Sequence, residues 1–220
     1  TISSFITADR NLCSVCLTEL FTANNRRFLH PFISCLECGP RASNIRNLPY
    51  EREHTVYADF KACNHCTKEA AYVVEGQAHR FHSQSNSCWE CGPRLNLQQQ
   101  TSNKTFRAIY NNSNPNSDYF ERLSEAINSG KIVAIKGISG FHLICDARQQ
   151  SAIDALRKFK QRPDKPFAIM ALNTSSLEPF VEINQEGKLL LEGETSPIVL
   201  LPKKYIDQHF VEALAPKVND

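Results

Sequence analysis

From residue 118 onward the hydrophobic positions fall into short periodic runs. A helix is predicted to start near Asp118, with Glu121 three residues on as a capping partner. Phe120, Leu123 and Ile127 share one face of it, and Gly130 is its expected stop. Residues 131–135, KIVAI, form a β-branched run that predicts a buried strand, and the apolar segment 141–144 follows the glycine-flanked turn 136–140. Ala152, Ala155, Leu156 and Phe159 recur at i, i+3, i+4 and i+7, which predicts a helix with a core-facing stripe that Pro163 ends. Residues 167–171 and 197–201 read as further strands, with a helical stretch near 185–191 between them. Strands and helices alternate, so this half is expected to be α/β. Ahead of it, residues 98–117 are rich in Gln, Asn and Ser and too poor in apolar positions for a core element throughout, so they read as a linker.

Cysteine spacing organises the first hundred residues. Eight of the nine cysteines form CxxC pairs: Cys13/Cys16, Cys35/Cys38, Cys63/Cys66 and Cys88/Cys91. Eighteen residues separate Cys16 from Cys35, twenty-four separate Cys38 from Cys63, and twenty-one separate Cys66 from Cys88. The flanks repeat as well. Cys38-Gly39-Pro40-Arg41 returns as Cys91-Gly92-Pro93-Arg94, Arg27-Phe28 returns as Arg80-Phe81, and Phe21 has an aromatic counterpart in Tyr72. Two thiolates three positions apart on a tight turn can both face one metal ion at about 2.3 Å, and two such turns complete a tetrahedron. The expectation is therefore two structural zinc sites, Cys13, Cys16, Cys35 and Cys38 at one and Cys63, Cys66, Cys88 and Cys91 at the other. Spacing alone leaves a crossed pairing open. Gly39 and Gly92 are expected to let the knuckles take positive φ. Histidines 30, 54, 65, 79 and 82 are assigned surface or packing roles, because four sulfurs already close each coordination sphere. Trp89 is expected to shield the metal or pack on a neighbour.

Composition narrows the partners. A formal charge of +2 over 220 residues predicts no nucleic-acid partner from bulk electrostatics, and no apolar run is long enough to span a bilayer. The first ten residues lack the pattern of a secretory leader, so a cytoplasmic location is expected. Lys160, Arg162 and Lys165 crowd three cations at the predicted end of a helix, which suits a polyphosphate and equally a solvated helix end favoured by its dipole. The lone Cys145 reads as a packing residue.

Taken together, the four CxxC pairs, the two Cys-Gly-Pro-Arg motifs, Arg27-Phe28 ahead of His30-Pro31-Phe32-Ile33-Ser34-Cys35, Asn47-Leu48-Pro49-Tyr50, Val133-Ala134-Ile135-Lys136-Gly137, Gly140-Phe141-His142-Leu143, Cys145-Asp146-Ala147 and the run from Lys160 to Ala168 resemble the HypF family, carbamoyltransferases of nickel–iron hydrogenase maturation. The resemblance implies a zinc-finger region at 1–97 with modules at about 13–41 and 63–94, a linker at 98–117, and the first part of a YrdC-like nucleotide-binding domain at 118–220. The fold class it implies is α+β with α/β: tandem small four-cysteine modules followed by a partial YrdC-like domain. It further implies an enzyme that uses carbamoyl phosphate and ATP, with magnesium, to form carbamoyl-adenylate and to carbamoylate the C-terminal cysteine of HypE. Lys160 and Arg162 match the Lys-x-Arg motif set against the ATP phosphates, with Lys165 beside it and Lys136 and His142 on the other wall. Binding of double-stranded RNA or other nucleic acid, a fold analogy, is not expected. The longer second module implies an insertion near residues 84–87. The chain is expected to be a fragment, inactive by itself, and the competing reading is a zinc-dependent binding or scaffold module, chaperone-like or partner-docking, without activity of its own.

Overall fold

A computed structural model describes residues 5–74, 76, 78–102, 105–110, 118–137, 140–204 and 214. The chain divides into two compact units, Thr1–Tyr119 and Phe120–Asp220.

In the first unit, α1 (Ser14–Phe21) and α2 (Asn64–Ala71) each begin directly after the first cysteine of a pair. Cys13 and Cys63 stand at the N-caps in extended backbone, and the Cys13 sulfur accepts from the Cys16 N–H at 3.5 Å, the role a Ser or Asp oxygen usually fills. The first pair of each module is thus a helix start rather than the tight turn expected. Eight-residue helices carry too few turns for hydrophobic periodicity to declare them. The second pairs, Cys35/Cys38 and Cys88/Cys91, lie outside helix and strand.

The repeat is visible in the backbone. Leu29 N–H donates to the Leu20 carbonyl at 2.8 Å, and His82 N–H donates to the Ala70 carbonyl at 2.9 Å. Leu29 and His82 share a left-handed conformation, with φ of 54° and 61°. Phe28 N–H to Asn25 and Phe81 N–H to Ala78 are a second matched pair. These equivalences move the insertion. Five positions link Leu20 to Asn25, and eight link Ala70 to Ala78, so the extra residues lie within 71–77 and not at 84–87.

The interior of this unit is unusually polar. Apart from cysteines, the buried apolar residues among those described are Ile33 and Tyr57, while Arg27, His30, Ser34, Asn44, Thr55, Arg80, Asn86 and Ser87 are also buried. The spacer between modules is bound in by Arg52, which donates to the carbonyls of Gln84, Asn86 and Phe60 at 2.8–3.1 Å. Strands β1 (Leu97–Ser102) and β2 (Thr105–Tyr110) then form an antiparallel hairpin inside the polar stretch read as a linker. A backbone ladder needs no apolar side chains, which is why composition did not reveal it. Residues 111–117 of that stretch lie outside the described residues.

The second unit opens with α3 (Tyr119–Asn128). Gly130 has φ +77°, and Gly130 and Lys131 N–H return to the Ile127 and Ala126 carbonyls, the double closure of a Schellman stop. Strands β3 (Val133–Lys136) and β4 (Phe141–Ile144) pair antiparallel. Contrary to the buried strand expected, Ala134, Ile135 and Lys136 of β3 are exposed: a two-stranded ladder leaves its faces uncovered. Ile138 and Ser139 lie outside the described residues. In α4 (Gln150–Lys160) the buried face is Ala152, Ile153 and Leu156, and Ile153 clusters with Leu214, with Cys145, Ala147 and Phe167 packed against that pair. Ala155 and Phe159, expected on that face, are exposed, Phe159 at 70%. Helix α5 (Gln185–Glu192) starts at Asn184, whose side chain accepts from Gly187 N–H at 2.7 Å. Segments 167–171 and 197–201 form no ladder with any described strand, and Met170, Leu172, Ile198 and Leu200 are almost fully exposed. No helix among the described residues is long and apolar enough to cross a membrane.

Gly130 offers a direct test of the α3 stop. An added Cβ there would meet the Gln149 side chain at 2.8 Å and would have to hold a left-handed φ. Gly130→Ala is expected to cost about 1–2 kcal/mol, read as a lower midpoint in urea with an unchanged slope.

Candidate functional site

The structure brings the eight paired cysteines together as two tetrads in sequential order, Cys13, Cys16, Cys35 and Cys38 in one and Cys63, Cys66, Cys88 and Cys91 in the other, with the four sulfurs of each within 4.8 Å of one another. The crossed pairing is thereby excluded. All nine thiols are unbridged. Neighbouring sulfurs stand 3.7 Å (Cys13–Cys35), 3.6 Å (Cys35–Cys38), 3.9 Å (Cys63–Cys88) and 3.8 Å (Cys88–Cys91) apart. A zinc ion with four sulfurs at about 2.3 Å requires edges of about 3.8 Å. The tetrads therefore fit two structural zinc ions, and a full set of sulfurs leaves no open position for a substrate. When zinc is absent, sharing hydrogen bonds with neighbouring thiols and burial push the Cys16 thiol up, and its counterpart Cys66 shifts the same way.

The two knuckle glycines answer different demands. Gly39 has φ +87°, as expected, exchanges two backbone hydrogen bonds with Arg10 at 3.1 Å, and its Cβ would sit 2.6 Å from that of Ser34. Gly92 does not need positive φ. It needs space: a Cβ there would lie 2.9 Å from the Cys88 carbonyl and from Ser87 Cβ, and 3.0 Å from His30 Nε2. His30 is a packing residue, fully buried, its Nδ1 accepting from Phe32 N–H at 3.0 Å. Burial pulls its pKa down to about 4, so the ring is neutral and carries its proton on Nε2. Trp89 packs across onto the first module, its ring 5.1 Å from that of His30 and its N–H bonded to the Phe28 carbonyl at 2.7 Å.

The repeat motif Arg-Phe proves to carry the counter-charges, and it carries them for the other module. Glu19 and Glu69 lie three residues after Cys16 and Cys66 on their helices, so each carboxylate shares a face with a sulfur. Arg80 of the second module donates to Glu19 and to the Cys16 sulfur at 3.6 Å. Arg27 of the first donates to both Glu69 oxygens, to the Cys66 sulfur at 3.5 Å, to Asn86 Oδ1 and to the Ser87 carbonyl at 2.9 Å. Burial alone would raise the Glu69 carboxyl, yet hydrogen bonding to Arg27 holds it down at about 2. Sequence reading recognised Arg27 and Arg80 as repeated residues and missed this exchange. The signal was present in the matched Cys-x-x-Glu spacing.

The second candidate group lies in the other unit. Lys160 ends α4, Gln161 caps it in the left-handed conformation, and Arg162 and Lys165 follow on the loop. Lys160 and Lys165 are exposed and Arg162 is half-buried. Their side chains make no hydrogen bond or ion pair with the described residues. The loop is shaped by Arg157, which sequence reading did not select. Its guanidinium donates to the carbonyls of Arg162, Lys165 and Leu214 at 3.2, 2.8 and 3.0 Å and stacks 4.5 Å over the Phe167 ring. Lys136 and His142 sit exposed on β3 and β4, with the Lys136 ammonium 6.0 Å over the Phe141 ring. No hydrogen bond or ring contact joins them to the cationic loop among the described residues.

Two measurements follow from this geometry. Native mass spectrometry is expected to find two zinc ions per chain, and stripping them should abolish α1 and α2 helicity, since the unit has little apolar core to fall back on. Arg27→Ala is expected to cost about 1.5–3 kcal/mol, the loss of a charged hydrogen-bonded pair to Glu69, whose carboxylate Arg26 and Asn86 continue to hold. Loss of denaturation midpoint in the zinc-loaded protein measures it.

Comparison with known proteins supplies the wider frame. A family profile described as "HypF finger" matches residues 12–45, and one for Sua5, YciO and YrdC proteins, described as "Telomere recombination", matches residues 125–220. The carbamoyltransferase HypF of Rhodobacter capsulatus is 36% identical over 211 residues, and that of Synechocystis sp. 41% identical over 214; each alignment takes in 96% of this chain and 26% of the relative. The crystal structure of a full-length HypF in its phosphate- and nucleotide-bound form superposes with a TM-score of 0.78 at 34% identity, over 92% of this chain and 25% of that one. The chain thus spans about a quarter of the length of the curated relatives it matches. Over the residues it spans, tandem four-cysteine fingers followed by a Sua5/YrdC-like segment, the chain is similar along nearly its whole length to proteins of the HypF family.

Proposed function

We propose that this chain supplies two parts of a carbamoyl-transferring enzyme: a two-zinc scaffold at residues 1–97 and, at residues 118–220 beyond the 98–117 connection, the cationic wall of a nucleotide site. In this reading all eight paired cysteines hold structural zinc. ATP is the substrate of the second part, and a carbamate made from carbamoyl phosphate is its co-substrate. The carbamate oxygen attacks the α-phosphorus of ATP, the new P–O bond forms, the bond to the bridging oxygen breaks, and pyrophosphate leaves. The C-terminal cysteine thiol of HypE then attacks the carbamoyl carbon of this product, carbamoyl-adenylate: the S–C bond forms, the C–O bond to the phosphate breaks, AMP leaves and the thiol proton is released. Magnesium bound with ATP would share the phosphate charge.

One observation carries this reading: Lys160, Arg162 and Lys165 stand on a loop whose backbone Arg157 has fixed, and their side chains spend no donor on any described residue. Preset cations facing the charge that builds on departing pyrophosphate lower the barrier without reorganisation cost at the moment of reaction. Lys136 and His142 are assigned to the opposite wall. Support comes from the nucleotide-bound form of the similar HypF structure and from the Sua5/YrdC profile match that includes these residues.

A scaffold role without nucleotide chemistry is the second reading, favoured by the exposure of Lys136, His142, Lys160 and Lys165. Calorimetry with MgATP separates the two. Binding is expected, and Lys160→Ala combined with Arg162→Ala should weaken it at least ~100-fold, each charged hydrogen bond contributing about 1.5–3 kcal/mol. Two bound zinc ions with no ATP binding would leave the scaffold reading standing.

A further inference from the structure

The two tetrads repeat the same ligands but are not surrounded by the same charges. A zinc ion with four thiolates carries two net negative charges, and Glu19 or Glu69 adds a third beside each site. Around the second tetrad, two guanidinium groups answer that charge. Arg26 donates to the sulfurs of Cys88 at 3.1 Å, Cys63 at 3.3 Å and Cys66 at 3.6 Å, and Arg27 reaches Cys66.

Around the first tetrad, Arg80 is the one side-chain donor among the described residues, at 3.6 Å to Cys16. The position equivalent to Arg26, one residue before the repeated Arg-Phe, is His79. Its Nε2 lies 2.6 Å from an Arg80 nitrogen and 3.3 Å from Glu19, and it makes no hydrogen bond to any sulfur of the first tetrad. The remaining donors there are backbone: Cys16 N–H to Cys13 and Glu37 N–H to Cys35, at 3.5 and 3.3 Å. Arg41 steadies the first knuckle through the Cys35 and Leu36 carbonyls, but it leaves the sulfur charge unanswered. Burial does not compensate. Three of the four cysteines of the first tetrad are buried against two in the second, so the less answered charge also lies in the more buried setting.

We propose that the two metal sites are unequal, that the second tetrad is the tight site and the first the exchangeable one, and that Arg26 against His79 sets the difference. The inference rests on both tetrads holding zinc. Outer-shell partners of this kind change metal affinity by about 10–100-fold, and that is the gap expected here.

The test starts from the two-zinc protein, counted by native mass spectrometry. It is equilibrated with a graded series of zinc chelators, and the one-zinc species is labelled with a maleimide and mapped. Labelling of Cys13, Cys16, Cys35 and Cys38 is expected, with the other four protected. Arg26→Gln should weaken the second site ~10-fold or more and shift labelling toward Cys63, Cys66, Cys88 and Cys91. His79→Arg, which places a guanidinium at the position equivalent to Arg26, should tighten the first site by a similar factor. A starting protein with fewer than two zinc ions would overturn the zinc reading itself. Two zinc ions with equal or reversed labelling, or variants that leave both affinities unchanged, would overturn the inequality while leaving that reading intact.

Discussion

Everything in the first unit depends on one exchange: each module's buried arginine pairs with the carboxylate of the other and donates to one of its cysteine sulfurs. Arg27 and Arg80 have almost no exposure, and the unit around them buries few apolar side chains. Two charges taken out of water are costly unless their geometry and hydrogen bonding repay it. Here Arg27 meets both oxygens of Glu69, and Arg80 both oxygens of Glu19. The metal is part of the same account, because the sulfurs that these guanidinium groups touch are stabilised as thiolates only when zinc is bound. Neither module can bury its charges alone. Self-sufficiency in ligands, which the repeat implied, does not extend to self-sufficiency in counter-charge.

That distinction marks how far the sequence could be read. CxxC spacing is set by the metal, so eight ligands were legible from residue type and distance, and the modular repeat pointed to the sequential pairing that the structure shows. Arg27-Phe28 and Arg80-Phe81 were legible as a repeat but not as a swap, since the contacts span forty-two and sixty-one residues and nothing local records them. The insertion was misplaced for a related reason. Counting between cysteines gives its size, and only the matched bonds from Leu29 to Leu20 and from His82 to Ala70 give its position. The need for glycine at 39 and 92 was recognised, but a left-handed φ at one and a crowded approach by His30, Ser87 and Cys88 at the other look identical as letters.

In the second unit local signals did better than burial signals. The Gly130 stop, the hairpin segment 141–144 and the helix near 185–191 are properties of the nearby chain, and they stand where the pattern put them. Expectations that required a covering layer fared worse: Ile135 and Phe159 were read as core because they are apolar and periodic, and both are exposed. Periodicity reports which residues share a face, not whether another element covers it. The cationic loop shows the same limit. Lys160, Arg162 and Lys165 announce themselves by charge, whereas Arg157, which fixes their backbone through three carbonyls and a ring, reads in sequence as one more basic residue of a helix end.

Divergence inside the repeat then separates what the scaffold requires from what it tolerates. The arginine before each Phe and the glutamate after each first pair occur in both modules, and they form the two buried ion pairs. The residue before that arginine differs, Arg26 in one copy and His79 in the other, and it sits at the edge of the interior, with Arg26 30% exposed against 2% for Arg27. A half-exposed cation can be lost without stranding a buried carboxylate, so the position is free to change where its neighbour is not. Folding constrains the inner arginine, while the outer position is left to tune how each site holds its metal.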